Sequence, residues 1–161
     1  TFFSKSTRHF ATRATWFALD FQFSPEQVSE SRAVVAAVDF LGNPAELYSL
    51  QLVYAGGELG LEESYPESTT RNVRLASLRL PSGAERWSHL RLEGSFGAEP
   101  AATLRLIDGD GSASIVGLKS FALSPPSGMA RAPSLALGIV EGDQPHQGWR
   151  LRYDNVVFDV R

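Results

Sequence analysis

Cysteine is absent from the 161-residue sequence, which excludes disulfide bonds and zinc sites built from thiolates. Histidine is scarce as well: His9, His89 and His146 stand in separate segments, with no second histidine two or four residues away. Because zinc sites usually draw several ligands from such short spacings, the sequence does not favour a metal site built from histidines.

The sequence has no strong excess of charge and no long apolar run. Fifteen basic against eighteen acidic residues give a formal net charge of −3, which argues against nucleic acid as a partner because phosphate binding needs a basic surface. A membrane-spanning helix needs roughly 18 or more apolar residues in succession, and the sequence contains no such run. Since Thr1 comes first and Met129 is the one methionine, we expect residues 1–161 to be a single domain that is processed or excised from a larger protein.

The dominant pattern is the alternation of apolar and polar residues that half-buried β-strands show. Short segments rich in Gly, Pro, Asn and Asp separate the alternating runs. The sequence therefore predicts an all-β fold, a two-sheet antiparallel sandwich of roughly nine to twelve strands, with at most one turn of helix at residues 24–27. The alternating runs are 16–23, 33–40, 47–54, 87–96, 102–108 and 134–141.

The same alternation selects the side chains that should form the core, because every second residue of a strand points to the same face. The predicted core consists of Phe17, Leu19, Phe21, Val38, Phe40, Leu50, Leu52, Leu90, Leu92, Leu104, Leu106, Leu137 and Phe158.

The last segment, residues 148–161, contains two alternations that differ in phase. Leu151 and Tyr153 share one parity, whereas Val156, Phe158 and Val160 share the other. A strand that keeps one buried face must gain one residue between these sets, which predicts a β-bulge at Asp154-Asn155. The alternative is a site in which the bulge aims the Asp154 carboxylate at a cation.

Three segments resemble the concanavalin A-like, laminin-G-like jelly-roll superfamily. In the first, Trp87 is followed at the third and fifth positions by Leu90 and Leu92; the second ends a strand on Asp108-Gly109; the third is the terminal 154–156 "DNV". The resemblance implies a two-sheet jelly roll in which Trp87 caps the core. It does not select a function, since this fold hosts lectins, glycanases, lyases and adhesion modules.

Polar and aromatic residues on the outward positions of three strands are candidates for ligand binding. They are Trp16, Asp20 and Gln22 on the first strand, Asp39 on the second and Gln51 on the third. If these strands share a sheet, the indole and the amide and carboxylate groups form a shallow groove suited to a sugar. The alternative is an ordinary outer sheet face, with Trp16 covered by a loop or a neighbouring domain.

The loop before the last strand is a second candidate for sugar contact. It contains His146, with Trp149 at its end. Trp149 has two interpretations, a stacking platform for a sugar or an aromatic residue at the edge of the core, and the second is favoured.

Calcium is the one metal that the sequence leaves open. Asp108 and Asp110 begin a "DGDGS" segment, but Ser112 and Lys119 stand where a calcium-binding EF-hand loop has ligands, so a hairpin is favoured over a site. Carbohydrate-binding jelly rolls whose last strand is tied by calcium also resemble this chain, and this resemblance implies Asp154 as a further candidate ligand. Apart from this calcium, no cofactor is expected.

No catalytic residue is predicted. A retaining glycanase needs two carboxylates on one face of a strand, whereas Glu62 and Glu63 are adjacent and point to opposite faces if extended. Residues 62–67 are predicted to form a loop of solvated charges. The Arg-rich strand, the Gln-x-His strand and the Tyr-Lys pair of polysaccharide lyases with this fold are also absent.

The leading hypothesis is a non-enzymatic binding module of an exported or cell-surface protein, with a glycan or protein as its ligand. The first alternative is an assembly domain that packs its outer face on a neighbouring domain or on a second copy. The second alternative is a glycan-active enzyme with an atypical site.

Overall fold

The computed structural model describes residues 5–9, 14–27, 32–41, 47–65, 71–80, 87–107, 115–125, 132–142 and 149–161. Every regular element in these ranges is a β-strand, and no helix there is long and apolar enough to cross a membrane. The strands are β1 Lys5–His9, β2 Trp16–Gln27, β3 Ala33–Leu41, β4 Leu47–Ala55, β5 Glu58–Tyr65, β6 Arg71–Arg79, β7 Ser88–Ser95, β8 Ala101–Ile107, β9 Ile115–Ala122, β10 Pro133–Gly142 and β11 Arg150–Val160.

The strands form two antiparallel sheets. The six-stranded sheet has the order β1-β10-β3-β4-β5-β6, and the five-stranded sheet has the order β11-β2-β7-β8-β9. The chain passes between the sheets after β1, β2, β6, β9 and β10, so strands that follow one another in sequence often lie in different sheets. The predicted all-β, two-sheet jelly-roll sandwich is confirmed.

The helical turn predicted at residues 24–27 is wrong, because β2 continues as a strand to Gln27 beside β11. Pro25 is accommodated there because the β2–β7 pairing ends at Phe23 opposite Ser88. Beyond that pair, none of the described strands lies beside β2 on the β7 side, so the missing N–H of Pro25 leaves no ladder hydrogen bond to a described strand unmade on that side.

The core lies between the two sheets and is rich in aromatic side chains. Nearly all predicted core residues are buried, and Leu137 and Phe158 are half-buried and pack against the others. Phe17 of β2 contacts Phe40 of the opposite sheet at 5.8 Å between ring centroids and Phe96 at 6.1 Å. Aromatic pairs at such distances add to the free energy gained from burial.

The predicted position of Trp87 is wrong: its side chain is 38% exposed and does not cap the core. Trp87 has the same parity as His89 and Arg91, which lie on the outer face of β7, whereas Leu90 and Leu92 point inward. Phe96, at the other end of β7, is buried in the core.

The β-bulge predicted at Asp154-Asn155 is confirmed. The register of β11 against β2 shifts between Asp154 and Val157, and Asn155 has a φ of 50°. The Asp154 carboxylate accepts a hydrogen bond of 2.8 Å from the Asn155 amide, which stabilises this left-handed backbone. Residues from both sides of the bulge thus pack against the core, Leu151 and Tyr153 before it and Phe158 and Val160 after it. The Tyr153 hydroxyl donates a hydrogen bond of 2.7 Å to the Val35 carbonyl oxygen of the opposite sheet.

Residues 62–65 belong to β5, so the loop of solvated charges predicted there is wrong. Glu63 points into the sandwich and is 2% exposed. Its carboxylate accepts hydrogen bonds from the Tyr48 hydroxyl at 2.6 Å, the Tyr65 hydroxyl at 3.1 Å and the Ser124 amide at 2.8 Å. Because Ser124 follows β9, this carboxylate links the two sheets. Burial, together with the hydrogen bond to Glu63, raises the pKa of Tyr48, which keeps its hydroxyl a donor.

Gly94 of β7 leaves the space that the Phe17 ring fills, since a Cβ atom at position 94 would overlap that ring. We expect Gly94→Ala to lower the free energy of unfolding by about 1–3 kcal/mol through overpacking, as measured by denaturant titration. The double variant Gly94→Ala/Phe17→Leu should lose less than the sum of the single variants, because a smaller side chain admits the methyl group. Additive losses would contradict this account.

Candidate functional site

The groove predicted to combine Trp16, Asp20 and Gln22 with Asp39 and Gln51 does not form. The first three lie on β2 in the five-stranded sheet, whereas Asp39 and Gln51 lie on β3 and β4 in the six-stranded sheet. The outward faces of the two sheets point away from each other, so the two sets lie on opposite sides of the sandwich. The reason is topological: the chain changes sheets between β2 and β3.

The outer face of the five-stranded sheet carries a chain of ion pairs. Asp20 contacts His89 Nε2 at 2.6 Å and Arg91 Nη1 at 3.2 Å, and Glu93 contacts both Arg91 and Arg105 at 3.1 Å. These side chains are 20–37% exposed, so each pair contributes little to stability. The Asp20 carboxylate that was predicted to bind a ligand is thus engaged by two side chains of its own sheet.

The indole of Trp16 is also in contact with a charged side chain, that of Arg161, which directly follows β11. The Arg161 guanidinium lies 5.0 Å from the centroid of the Trp16 ring, and the two backbones exchange hydrogen bonds of 3.0 and 2.9 Å. An arginine over an indole is a cation–π interaction, which stabilises by about 0.5–1 kcal/mol at a partly exposed site. The cation occupies one face of the ring that we expected a sugar to use.

Trp16→Ala should therefore leave the fold intact and lower the free energy of unfolding by about 1 kcal/mol, since Trp16 lies outside the core. Denaturant titration of Trp16→Ala, Arg161→Ala and the double variant measures the coupling between the two side chains. A loss above roughly 3 kcal/mol for Trp16→Ala would show that the indole is part of the core after all.

The other predicted site residues do not come together with these. Trp149 is half-buried and meets Tyr54 edge-on at 6.2 Å between ring centroids, which confirms its interpretation as an aromatic residue at the edge of the core. His146, Asp108 and Asp110 lie outside the described residues. Asp154 is exposed at the bulge, and within the described part of the chain no three His, Asp or Glu side chains cluster as metal ligands would. Calcium binding stays a prediction.

The outer face of the six-stranded sheet is different, because it gathers polar side chains that are nearly buried. Residues paired in register point to the same face, and two such rows cross the central strands β10, β3, β4 and β5. The first row is Ala136–Ala37–Gln51–Glu62, and the second row is Ser134–Asp39–Ser49–Ser64. We refer to these eight residues as the two outer rows.

Two contacts organise the polar groups of the outer rows. The Ser49 hydroxyl donates to Asp39 Oδ1 at 2.6 Å, and Arg32 Nη2 donates to Glu62 Oε2 at 2.7 Å. Arg32 immediately precedes β3, and Glu62 lies in β5, so their ion pair must reach across β4, which lies between those strands. Gln51, on β4, lies on the same face and next to Glu62 in register.

The side chain of Gln51 contains a polar atom without a hydrogen-bond partner. Its side chain is 8% exposed, and its Oε1 atom is buried without a hydrogen-bond partner. Leaving a buried acceptor unpaired costs about 1–3 kcal/mol, so such an atom calls for an explanation. Arg105 Nε is also buried and unpaired, but the Arg105 side chain is 37% exposed and contacts Glu93 through its Nη2 atom.

The surroundings of Gln51 are small and apolar. Ala37 and Ala136 lie in the same row, and Val34 and Val53 pack with them in a cluster that is separate from the main core. These four residues are 0–4% exposed, so they form a second buried cluster on the outer side of the sheet.

The sequence predicted Asp39 and Gln51 but missed Glu62, Arg32 and Ser134. The signal for Glu62 was present, since Leu59 and Leu61 alternate with Gly60 and Glu62 as strand residues do. No local signal marked Arg32, because its partner is thirty residues away.

Known proteins share the fold of this chain but not its sequence. No protein-family model matches the sequence, and no curated protein matches it. An alginate lyase from Pseudomonas aeruginosa has a TM-score of 0.58 at 16% identity, over 92% of this chain and 66% of the lyase. The carbohydrate-binding module CBM66 from Bacillus subtilis has a TM-score of 0.54 at 10% identity, over 99% of this chain and 84% of the module.

A tetrameric galectin from the ball sponge Cinachyrella has a TM-score of 0.54 at 11% identity, over 98% of this chain and 99% of the galectin. The chain thus spans just under two thirds of the alginate lyase but nearly the whole galectin. At these identities the likeness concerns the backbone and its topology, and it supports the predicted resemblance to concanavalin A-like jelly rolls at the level of the fold.

Proposed function

We propose that this chain is a non-enzymatic module that binds a glycan through the outer rows of the six-stranded sheet. The observation that carries the proposal is the set of polar side chains gathered in the outer rows, among them Gln51, whose amide has an oxygen without a hydrogen-bond partner. A side-chain amide carries one acceptor and two donors, and sugar hydroxyls can pair with both kinds of group. The C–H groups of a sugar ring suit the apolar residues Ala37 and Ala136 in the row of Gln51.

The absence of catalysis is part of the proposal. The two described carboxylates of the outer rows are each engaged, Asp39 with the Ser49 hydroxyl and Glu62 with Arg32. They also lie in different rows and on strands that are separated by β4. This arrangement supports binding better than it supports a pair of carboxylates acting as acid and base on one bond.

The fold is compatible with glycan binding but does not select binding over catalysis. A carbohydrate-binding module and a galectin share the architecture, as does an alginate lyase. We place the module in an exported or cell-surface protein, since polymeric glycans are met mainly outside cells.

An assembly role has one observation in its favour, the exposed apolar side chains of β11. Val156 and Val157 are 41% and 60% exposed, and β11 is an edge strand that pairs with β2 alone among the described strands. However, the bulge at Asn155 interrupts this edge, and a bulge is a feature that prevents two sheet edges from pairing. The glycan proposal is therefore preferred.

Gln51→Leu tests the proposal by separating stability from binding. The substitution removes the unpaired acceptor while keeping a side chain of similar size, so the free energy of unfolding should stay the same or rise by up to about 1 kcal/mol. Glycan binding, measured on a glycan array and by calorimetry, should fall sharply.

The matched control is Gln22→Leu, which makes the same substitution on the outer face of the five-stranded sheet. It should leave glycan binding unchanged. If Gln51→Leu bound glycans as well as the unaltered chain, or if Gln22→Leu abolished binding, the outer rows would not be the site.

A further inference from the structure

The amide of Gln51 is shielded in this structure, although the proposed function needs a ligand to reach it. Gln51 faces outward with the rest of its row, yet its side chain is 8% exposed and its Oε1 atom is buried. Val53, the next outward residue of β4, is 4% exposed. Because the outward side chains of an antiparallel sheet ordinarily meet water, other groups must lie over this part of β4.

The Arg32–Glu62 ion pair is one of these groups. Arg32 directly precedes Ala33, which pairs with Tyr54, whereas Glu62 pairs with Gln51. The contact of 2.7 Å between Arg32 Nη2 and Glu62 Oε2 therefore runs diagonally across the outer side of β4. The two side chains lie over the stretch of β4 that begins at Tyr54 and ends at Gln51.

Two opposing contributions act on this cover. The ion pair favours the closed arrangement, but the Arg32 side chain is 25% exposed, and partly exposed pairs contribute only modestly to stability. The Gln51 oxygen opposes closure, since it has no hydrogen-bond partner in the closed arrangement. Water or a ligand can pair with this oxygen once the Arg32 side chain moves aside. We therefore expect the closed and open arrangements to differ little in free energy, so that both are populated.

From this geometry, and resting on the proposed function for its purpose, we infer that the Arg32–Glu62 ion pair is a gate over Gln51. In the closed arrangement the guanidinium is bound to Glu62, and the Gln51 amide is shielded. In the open arrangement the Arg32 side chain turns away from β4, and the amide meets water or the ligand. Such a gate divides the affinity of the site by the fraction of molecules that are open, so it sets how readily the site is occupied.

Thiol labelling measures access to position 51 without any glycan, and the chain suits this experiment because it contains no cysteine. The variant Gln51→Cys supplies the thiol, and iodoacetamide, which is uncharged, is the reagent. When opening and closing are fast compared with labelling, the labelling rate follows the open fraction.

Arg32→Gln, added to Gln51→Cys, should raise the labelling rate about fivefold or more, a factor that corresponds to about 1 kcal/mol of lost pairing. Removal of a nearby positive charge lowers the thiolate fraction of a cysteine and so slows its labelling. A faster rate in this variant therefore reports access and not reactivity.

Gln22→Cys is the matched control, because it places the same thiol on the outer face of the five-stranded sheet. Its labelling rate should be unchanged by Arg32→Gln. Glu62→Gln is a second way to break the ion pair, and it should also speed the labelling of Gln51→Cys. The rates with Glu62→Gln are measured over a range of pH, which separates a change in thiol ionisation from a change in access.

The possible failures are distinguishable. Equal labelling of Gln51→Cys with and without Arg32→Gln would overturn the gate. Equal acceleration of Gln51→Cys and Gln22→Cys would also overturn it, because the whole sandwich would then have loosened. If Arg32→Gln does not fold, the same comparison with Glu62→Gln decides. Binding of no glycan on the array would overturn the proposed function and leave the labelling result unaffected.

Discussion

The Phe17 ring is the contact on which the sandwich depends. It lies at the centre of the space between the sheets and meets Phe40 of the opposite sheet as well as Phe96 and Phe158. Gly94 faces it across the β2–β7 pair, and the missing side chain at that position is what admits the ring. This aromatic contact and its neighbours fill the interior from both sheets.

Two polar contacts complete the closure of the sandwich. Tyr153 joins the five-stranded sheet to the Val35 carbonyl oxygen of the six-stranded sheet, and Glu63 joins the six-stranded sheet to Ser124. Both lie within an apolar interior, where an unsatisfied partner would be costly and a satisfied one fixes a single arrangement. The apolar contacts supply most of the stability, and these directional contacts set how one sheet lies on the other.

The sequence predicted what depends on neighbouring residues and missed what depends on distant ones. Alternation along β2, β4 and β7 identified the inward side chains, and the change of phase at Asp154-Asn155 identified the bulge, because both follow from the two-residue period of a strand. The groove predicted to combine Trp16 with Gln51 does not form, because alternation identifies the face on which a side chain lies but not the sheet to which its strand belongs. The prediction for Trp87 was wrong for a simpler reason. The resemblance placed Trp87 in the core, whereas the alternation along β7 places it on the outer face with His89 and Arg91.

The two outer faces show why one of them carries the functional proposal. On the five-stranded sheet, Asp20 and Glu93 are matched by His89, Arg91 and Arg105, and water reaches every member of the chain. On the six-stranded sheet, the groups are nearly buried, and one acceptor has no donor. A partly buried ion pair such as Arg32–Glu62 contributes little net stability, since desolvation offsets most of the attraction. Its position over β4 therefore matters less for stability than for the surface it creates: on this face a paired carboxylate and the Gln51 amide lie next to each other in register, whereas the opposite face carries ion pairs that are open to water.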